Sequence, residues 1–562
     1  MPGDLALGEP IPPNTSHAVS VSLPSWKANV GYEKGEDWVI SALSTGYPRF
    51  FIHKSIRELA AQILHRFGHA DESALLFPSS KTASRCHQFL SSRLPAEDYK
   101  EIRIVNLAIV PPATSVTSSN GQVSNISSKL CCVLYPKIHT HVAKQFWQHG
   151  GDGISSRRSE FYLKALIEGY LIEDDPDHDT AIKAQSFVKG PKRYQRSDLG
   201  QNMTKETSLQ KKAPWKDSKD PPFEGRDFDQ FIEERFGRNL SPLLANDAKL
   251  AVRRRIAGSL TANAELTEAL KTSSTAGRIA GLTEEHVYLY PSGMSAIFNS
   301  HQTLMTTRGE LKSICFGFPY IDTLKILEKW GPGTLFYGHG SSQDLDDLEQ
   351  RLESGERFLA LFTEFPGNPL LKSPDLERIH NLATKYDFAV VVDESVGNFI
   401  NVNVLPYADI VVSSLTKVFS GDSNVMGGSA VYNHRGRYYQ KLQAVLDIDY
   451  EDNYWVEDAI FLERNSRDFV SRIARINAST ESLTARLKVS PLVKSLYYPK
   501  YSPTRPLYDK CRNPNGGYGG LFSVTFHSTN AAIAFFDALD VMKGPSLGTN
   551  FTLRSVRSFI LI

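Results

Sequence analysis

One stretch constrains the chain most: Phe388 to Tyr432, reading FAVVVDESVGNFINVNVLPYADIVVSSLTKVFSGDSNVMGGSAVY. Its apolar, β-branched runs Phe388–Val392, Asp409–Val412 and Gly428–Tyr432 are parted by polar or Gly-rich turns. Runs of that length, so bounded, predict buried strands of an α/β sheet rather than one face of a helix. In such sheets polar residues just past the strands' carboxyl ends face the ligand crevice. Asp393 and Lys417 both follow such ends. A lysine and an aspartate placed this way suit pyridoxal 5'-phosphate: the amine bonds the cofactor aldehyde, and the carboxylate pairs with the protonated ring nitrogen. The hydroxyls of Ser414 and Thr416 are placed to hold the phosphate. The same spacing also suits a lysine in a surface loop and an aspartate capping a turn.

The flanking sequence bears on that choice. Val287–Tyr290 predicts a short strand, and Pro291-Ser292-Gly293-Met294 turns into a helix near Ser295. A glycine turn at a helix start presents backbone N–H groups and the positive end of the dipole, which suits a phosphate. Strand regions follow at Gly309–Phe316, Gly333–Phe336 and Phe358–Thr363, with helices at Pro319–Trp330, Ser342–Glu353 and Asp375–Tyr386. That alternation predicts a mostly parallel, doubly wound sheet. Tyr320 offers a ring for stacking on a cofactor or for core packing. Asn368, in the turn EFPGNP, offers a hydrogen bond to a ring hydroxyl, although Asn-Pro is also a common turn pair.

The chain has 562 residues, enough for several domains. We read residues 1–173 as an N-terminal extension, 174–225 as a polar linker, 226–432 as the large cofactor domain, 433–553 as an incomplete smaller α+β domain and 554–562 as a divergent tail. Residues 1–30 are expected to be an extended lead-in, Ser55–Phe67 a helix, Ser73–Phe77, Ile102–Val110 and Leu130–Leu134 strands, and Ser159–Ile172 a helix. The start LLFPSSKTAS (Leu75–Ser84) echoes LYPSGMSA (Leu289–Ala296); it reads as two similar strand–turn–helix starts, a duplication, or an unrelated docking module. Farther on, Arg435–Leu446 and Asp458–Leu487 are expected to be helices.

A net charge of +1 gives no field that would draw in nucleic acid or an anionic membrane. The five cysteines, Cys86, Cys131, Cys132, Cys315 and Cys511, make no CxxC pair, so neither a disulfide framework nor a zinc site is expected. Reduced thiols, no run of membrane-spanning length and no secretory signal in MPGDLALGEPIPPN together predict a cytoplasmic protein.

From about Phe228 to Gly548 the chain resembles the Cys/Met-metabolism family of pyridoxal-phosphate enzymes. That family comprises cystathionine γ-synthases, cystathionine lyases and homoserine-ester sulfhydrylases, with the aspartate-aminotransferase-like fold (fold type I). Ala408–Val431, ADIVVSSLTKVFSGDSNVMGGSAV, resembles its lysine signature at nearly every defining position. The resemblance implies that Lys417 is the Schiff-base lysine and Asp393 the pyridinium partner. Ser414, Thr416 and the amides of Gly293 and Met294 would bind phosphate. Tyr320 would stack on the ring and serve in catalysis, Asn368 would match the family's Asn-Pro, and Ser395 would stand beside the ring. KGPSLG (Lys543–Gly548) is similar to the substrate-carboxylate loop, with Ser546 the contact. Arg238, in Phe236-Gly237-Arg238, stands where the family has Tyr-x-Arg reaching a neighbouring subunit's phosphate; an intact Tyr47-Pro48-Arg49 lies far upstream.

The long N-terminal extension and the wording LYPSGMSAIF look most like the fungal cystathionine γ-synthases. The expected reaction joins O-acyl-homoserine and cysteine into cystathionine, in a homodimer or homotetramer. A lyase or sulfhydrylase of the same family, or a non-catalytic relative, are the alternatives. After Thr549–Leu553 the family pattern would continue for several dozen residues and include an arginine that pairs with the substrate carboxylate. Here the text reads RSVRSFILI (Arg554–Ile562), which we read as a truncated or mis-spliced end.

Overall fold

The computed structural model describes residues 5–46, 51–109, 129–169, 171–174, 244–260, 262–271 and 277–556. The linker beyond Asp174, both arginine triplets (Tyr47–Arg49 and Phe236–Arg238, with Arg238) and residues 557–562 lie outside them.

A seven-stranded sheet organises residues 287–432, in the order Val287–Tyr290, Gly428–Tyr432, Ile410–Ser414, Ala389–Asp393, Ala360–Glu364, Ser313–Phe316, Thr334–Tyr337. Gly428–Tyr432 runs antiparallel to both neighbours, and the other pairings are parallel. Strand side chains alternate between faces, and here both faces are covered. Val390, Val392, Leu361 and Val411 enter one core with Leu345, Leu348 and Ile379 of the helices Ser342–Glu353 and Leu376–Tyr386. Ala389, Val391, Phe362 and Ile410 enter the other, with Ala296, Ile297 and Leu304 of the helix Gly293–Arg308. Burial on two sides is why these strands read as unbroken apolar runs. The register sets Glu364 beside Asp393 and Ser414 beside Gly428, so the strand ends that carry the polar residues lie together.

Ahead of this sheet, Glu72–Phe77, Lys129–Pro136, Arg103–Ile109 and Leu171–Glu173 form, in that order, an antiparallel sheet. The helix expected over 159–172 instead spans Ser156–Ile167. Gly169, at φ +80, then turns the chain out of it and Leu171 opens an edge strand. The echoing starts share a construction: Ser79 accepts from the Thr82 N–H at 3.3 Å and Ser292 from the Ser295 N–H at 3.1 Å, each capping a helix after a strand. One strand lies in an antiparallel sheet and the other in a largely parallel one. The lead-in is not simply extended: Pro10–Ile11 pairs with Ser20–Val21, and a helix runs from Trp26 to Lys34 behind the Ser25 cap.

The helix expected over 458–487 is two, Val456–Asn465 and Phe469–Lys488. At the break the Asn465 carbonyl accepts from Arg472 at 3.0 Å. All five cysteines are buried free thiols. Among the described residues no helix is long and apolar enough to cross a membrane.

His301, on the Gly293–Arg308 helix, is 1% exposed and meets the Phe362 ring edge-on. Burial pushes its imidazole down to about 4. The folded state therefore refuses a proton that the unfolded chain takes up near pH 6.5, and stability falls as pH drops from there toward 4. We expect this group to remove about 2 kcal/mol between pH 7 and pH 5. Urea midpoints at the two pH values check it: the loss should shrink by that amount in His301→Leu.

Candidate functional site

Asp393 ends its strand, and its Oδ1 accepts the Ser395 N–H at 2.8 Å. Withdrawal from water pushes the carboxyl up; the Ser395 hydrogen bonds oppose that, Glu394 adds to it, and Lys417 draws it back down. Ser395 Oγ accepts the Ser414 N–H at 2.7 Å, which joins the ends of the two neighbouring strands. Ser414 in turn meets the helix start. A Cβ on Gly293 would sit 2.8 Å from Ser414 Cβ, and one on Gly428 would sit 2.0 Å from the Ser292 carbonyl oxygen. Only glycine allows this approach, which brings the Ser414 hydroxyl to the amide end of a 16-residue helix. Met294, next along, packs against the core on that side of the sheet.

The turn after Ser414 is held from within. The Thr416 hydroxyl accepts the Gly427 N–H at 3.1 Å and lies 3.3 Å from the Gly427 carbonyl oxygen, so this side chain ties the lysine turn to the next strand. Lys417 Nζ donates to Ser546 Oγ at 3.4 Å. Gly548, at φ +71, closes the loop against Lys417, where a Cβ would lie 2.9 Å from the lysine Cβ. Tyr320 and Asn368 come together through a residue the sequence reading missed. Glu364 ends the strand beside Asp393; its Oε1 accepts the Tyr320 N–H and its Oε2 the Asn368 N–H, at 3.3 Å.

Two arginines were also missed. Arg278 makes a two-pronged pair with Glu394, Nη1 to Oε1 at 2.7 Å and Nη2 to Oε2, with side chains 4% and 1% exposed. Arg472 donates to the carbonyls of Phe419 and Ser420, fixing the chain just past Lys417. The signal for the first pair was the second acid of Asp393-Glu394, a charge just past an apolar run that requires a counter-ion when buried.

A lysine amine facing a polar loop, a carboxyl shifted by burial, and a glycine cradle closed by a serine hydroxyl form a donor set that fits pyridoxal phosphate. The fold and this set define a pyridoxal-phosphate enzyme of fold type I. The family described as "Cys/Met metabolism PLP-dependent enzyme" matches residues 269–558, and "Fungal trans-sulfuration enzyme, N-terminal domain" matches residues 55–155. The extension therefore carries a domain found in fungal trans-sulfuration enzymes. A cystathionine gamma-synthase of Neurospora crassa is 51% identical over 98% of this chain and 90% of that one. The cystathionine gamma-synthase-like enzyme iboG2 of Amanita muscaria is 40% identical over 98% and 89%, and a cystathionine gamma-synthase of Saccharomyces cerevisiae is 37% identical over 97% and 91%. The chain belongs to the Cys/Met-metabolism family of pyridoxal-phosphate-dependent enzymes, and pyridoxal phosphate is its cofactor.

Proposed function

We propose that this chain is a cystathionine γ-synthase, joining an O-acyl-homoserine and cysteine into cystathionine. The observation that carries this reading is the 51% identity to the Neurospora enzyme across nearly the whole of both chains. When bound, the cofactor supplies an electron sink for charge that develops on the substrate. Lys417 holds the cofactor covalently and then moves protons at the substrate's α and β carbons. The Asp393 carboxylate would pair with the ring nitrogen, a cationic partner that would offset the upward push of burial. Ser395 keeps Asp393 aimed.

Ser414 and the amides of Gly293 and Met294 receive the phosphate. Thr416 supports them by holding the lysine turn on Gly427. Tyr320 would stack on the ring and Asn368 would bond its hydroxyl, with Glu364 accepting the backbone N–H of each. Ser546 contacts the substrate carboxylate, and Arg238 serves the phosphate of a neighbouring subunit. The acyl group leaves the γ carbon with its bonding pair as a carboxylate, and the cysteine thiolate forms the C–S bond there. The reading places the enzyme in the cytoplasm as a homodimer or homotetramer; the exposed Phe318 and Ile321 flanking Tyr320 suit a covering subunit.

Purified holoenzyme given acyl-homoserine with either cysteine or sulfide tests the reaction. Cystathionine formed from cysteine is the expected product. Sulfide accepted while cysteine is refused rejects the synthase reading.

A further inference from the structure

The segment Thr15–Trp26 makes contacts that a passive lead-in does not need. At one end it is fastened to the residues that flank the N-terminal domain matched at 55–155. His17 Nδ1 and Ser156 Oγ lie 2.9 Å apart, His53 Nε2 and the Ser16 carbonyl oxygen 3.1 Å, and the Thr45 hydroxyl donates to the Ala18 carbonyl. At the other end it grips two loops that border Lys417. The Val19 N–H donates to the Ser423 carbonyl at 2.8 Å, and Ser423 lies in the turn where the Gly421 N–H returns to the Lys417 carbonyl at 2.8 Å. The Leu23 N–H donates to the Lys543 carbonyl at 2.8 Å, and the Trp26 N–H to Asp537 Oδ1 at 2.8 Å. Contact with the Lys543 loop is close enough to demand glycine: a Cβ on Gly544 would lie 2.6 Å from the Val21 carbonyl oxygen. Two residues farther along, Ser546 faces the Lys417 amine at 3.4 Å.

Ile11 and Val21, one on each strand of the short sheet, are both fully buried. The segment is thus a packed beam, fastened to residues beside the N-terminal domain and to the loops beside Lys417. We propose that Thr15–Trp26 is a positioning element of the active site, which holds the Lys543–Gly548 loop against Lys417 and so sets where the substrate's carboxylate end rests relative to the amine. The inference rests on the substrate role given above to Ser546. It assigns to the N-terminal arm a part in substrate binding.

The test leaves the proposed catalytic and cofactor-binding residues untouched. Gly544→Ala pushes a methyl into the Val21 carbonyl and displaces the loop. Asp537→Ala removes the acceptor of the Trp26 N–H, and Asp537→Asn keeps an oxygen there. With holoenzyme, acyl-homoserine and cysteine, Gly544→Ala should raise KM for the acyl-homoserine about tenfold, with a smaller change in kcat, because loop misplacement acts on binding geometry. Asp537→Ala should raise that KM about threefold, and Asp537→Asn should restore it. Cofactor content and visible absorbance should match wild type in all three variants. An unchanged KM in both Gly544→Ala and Asp537→Ala overturns the inference alone. A wild type inactive on this substrate pair overturns the proposed reaction and this inference with it.

Discussion

Replacing Lys417 by alanine should lower kcat/KM by about a thousandfold or more, since the chemistry loses both its covalent anchor and its proton carrier. The purified protein should also lose the visible absorbance that depends on the lysine. The fold should survive: the turn is held by the Thr416–Gly427 bonds and by Arg472 on Phe419 and Ser420, none of which uses the lysine side chain. Steady-state rates, an absorbance spectrum and a melting curve on one preparation separate these effects. A variant that keeps wild-type rate and colour contradicts the site described above. Loss of activity together with collapse of the melting transition would instead mark Lys417 as a structural residue.

The largest effect on stability should come from Arg278→Met. Glu394 is 1% exposed, and its carboxylate pairs with Arg278 in two-pronged geometry. Removing the guanidinium strands a buried charge beside Asp393, which costs about 3–5 kcal/mol. Exchanging both partners, Arg278→Met with Glu394→Gln, should recover most of that loss, because the stranded charge rather than the lost attraction dominates the cost. Urea unfolding of the single and double variants measures it. A single-variant cost below about 1 kcal/mol, the range of exposed pairs, would contradict the buried-pair account.

The central sheet was legible because burial on both faces writes itself as apolar runs. Val287–Tyr290 and Gly428–Tyr432 were read with the bounds the structure has. Strand direction was not legible in the same way: Gly428–Tyr432 runs antiparallel, and a fully buried strand carries the same apolar run in either sense. Glycine at Gly169 and the break after Asn465 shifted helix ends where backbone conformation and Arg472 of the following helix overrode side-chain periodicity.

The positions of the proposed site residues at strand ends were legible, since Asp393 and Ser414 end their strands and Lys417 lies in the turn just past Ser414. Glu364, Arg278 and Arg472 could not, because each acts on a partner far along the chain; Arg278 and Glu394 are 116 residues apart. The arm was missed for a related reason. Strands of two residues, Pro10–Ile11 and Ser20–Val21, are too short for any period, and their burial comes entirely from packing.

The central claim is that the cofactor is carried by Lys417. Borohydride treatment of the holoenzyme, followed by proteolysis and mass spectrometry, locates the lysine to which it is bonded. The account predicts the reduced cofactor on the peptide containing Ser413-Ser414-Leu415-Thr416-Lys417, attached at Lys417. Attachment at any other lysine, or a holoenzyme with no trapped lysine, would contradict it.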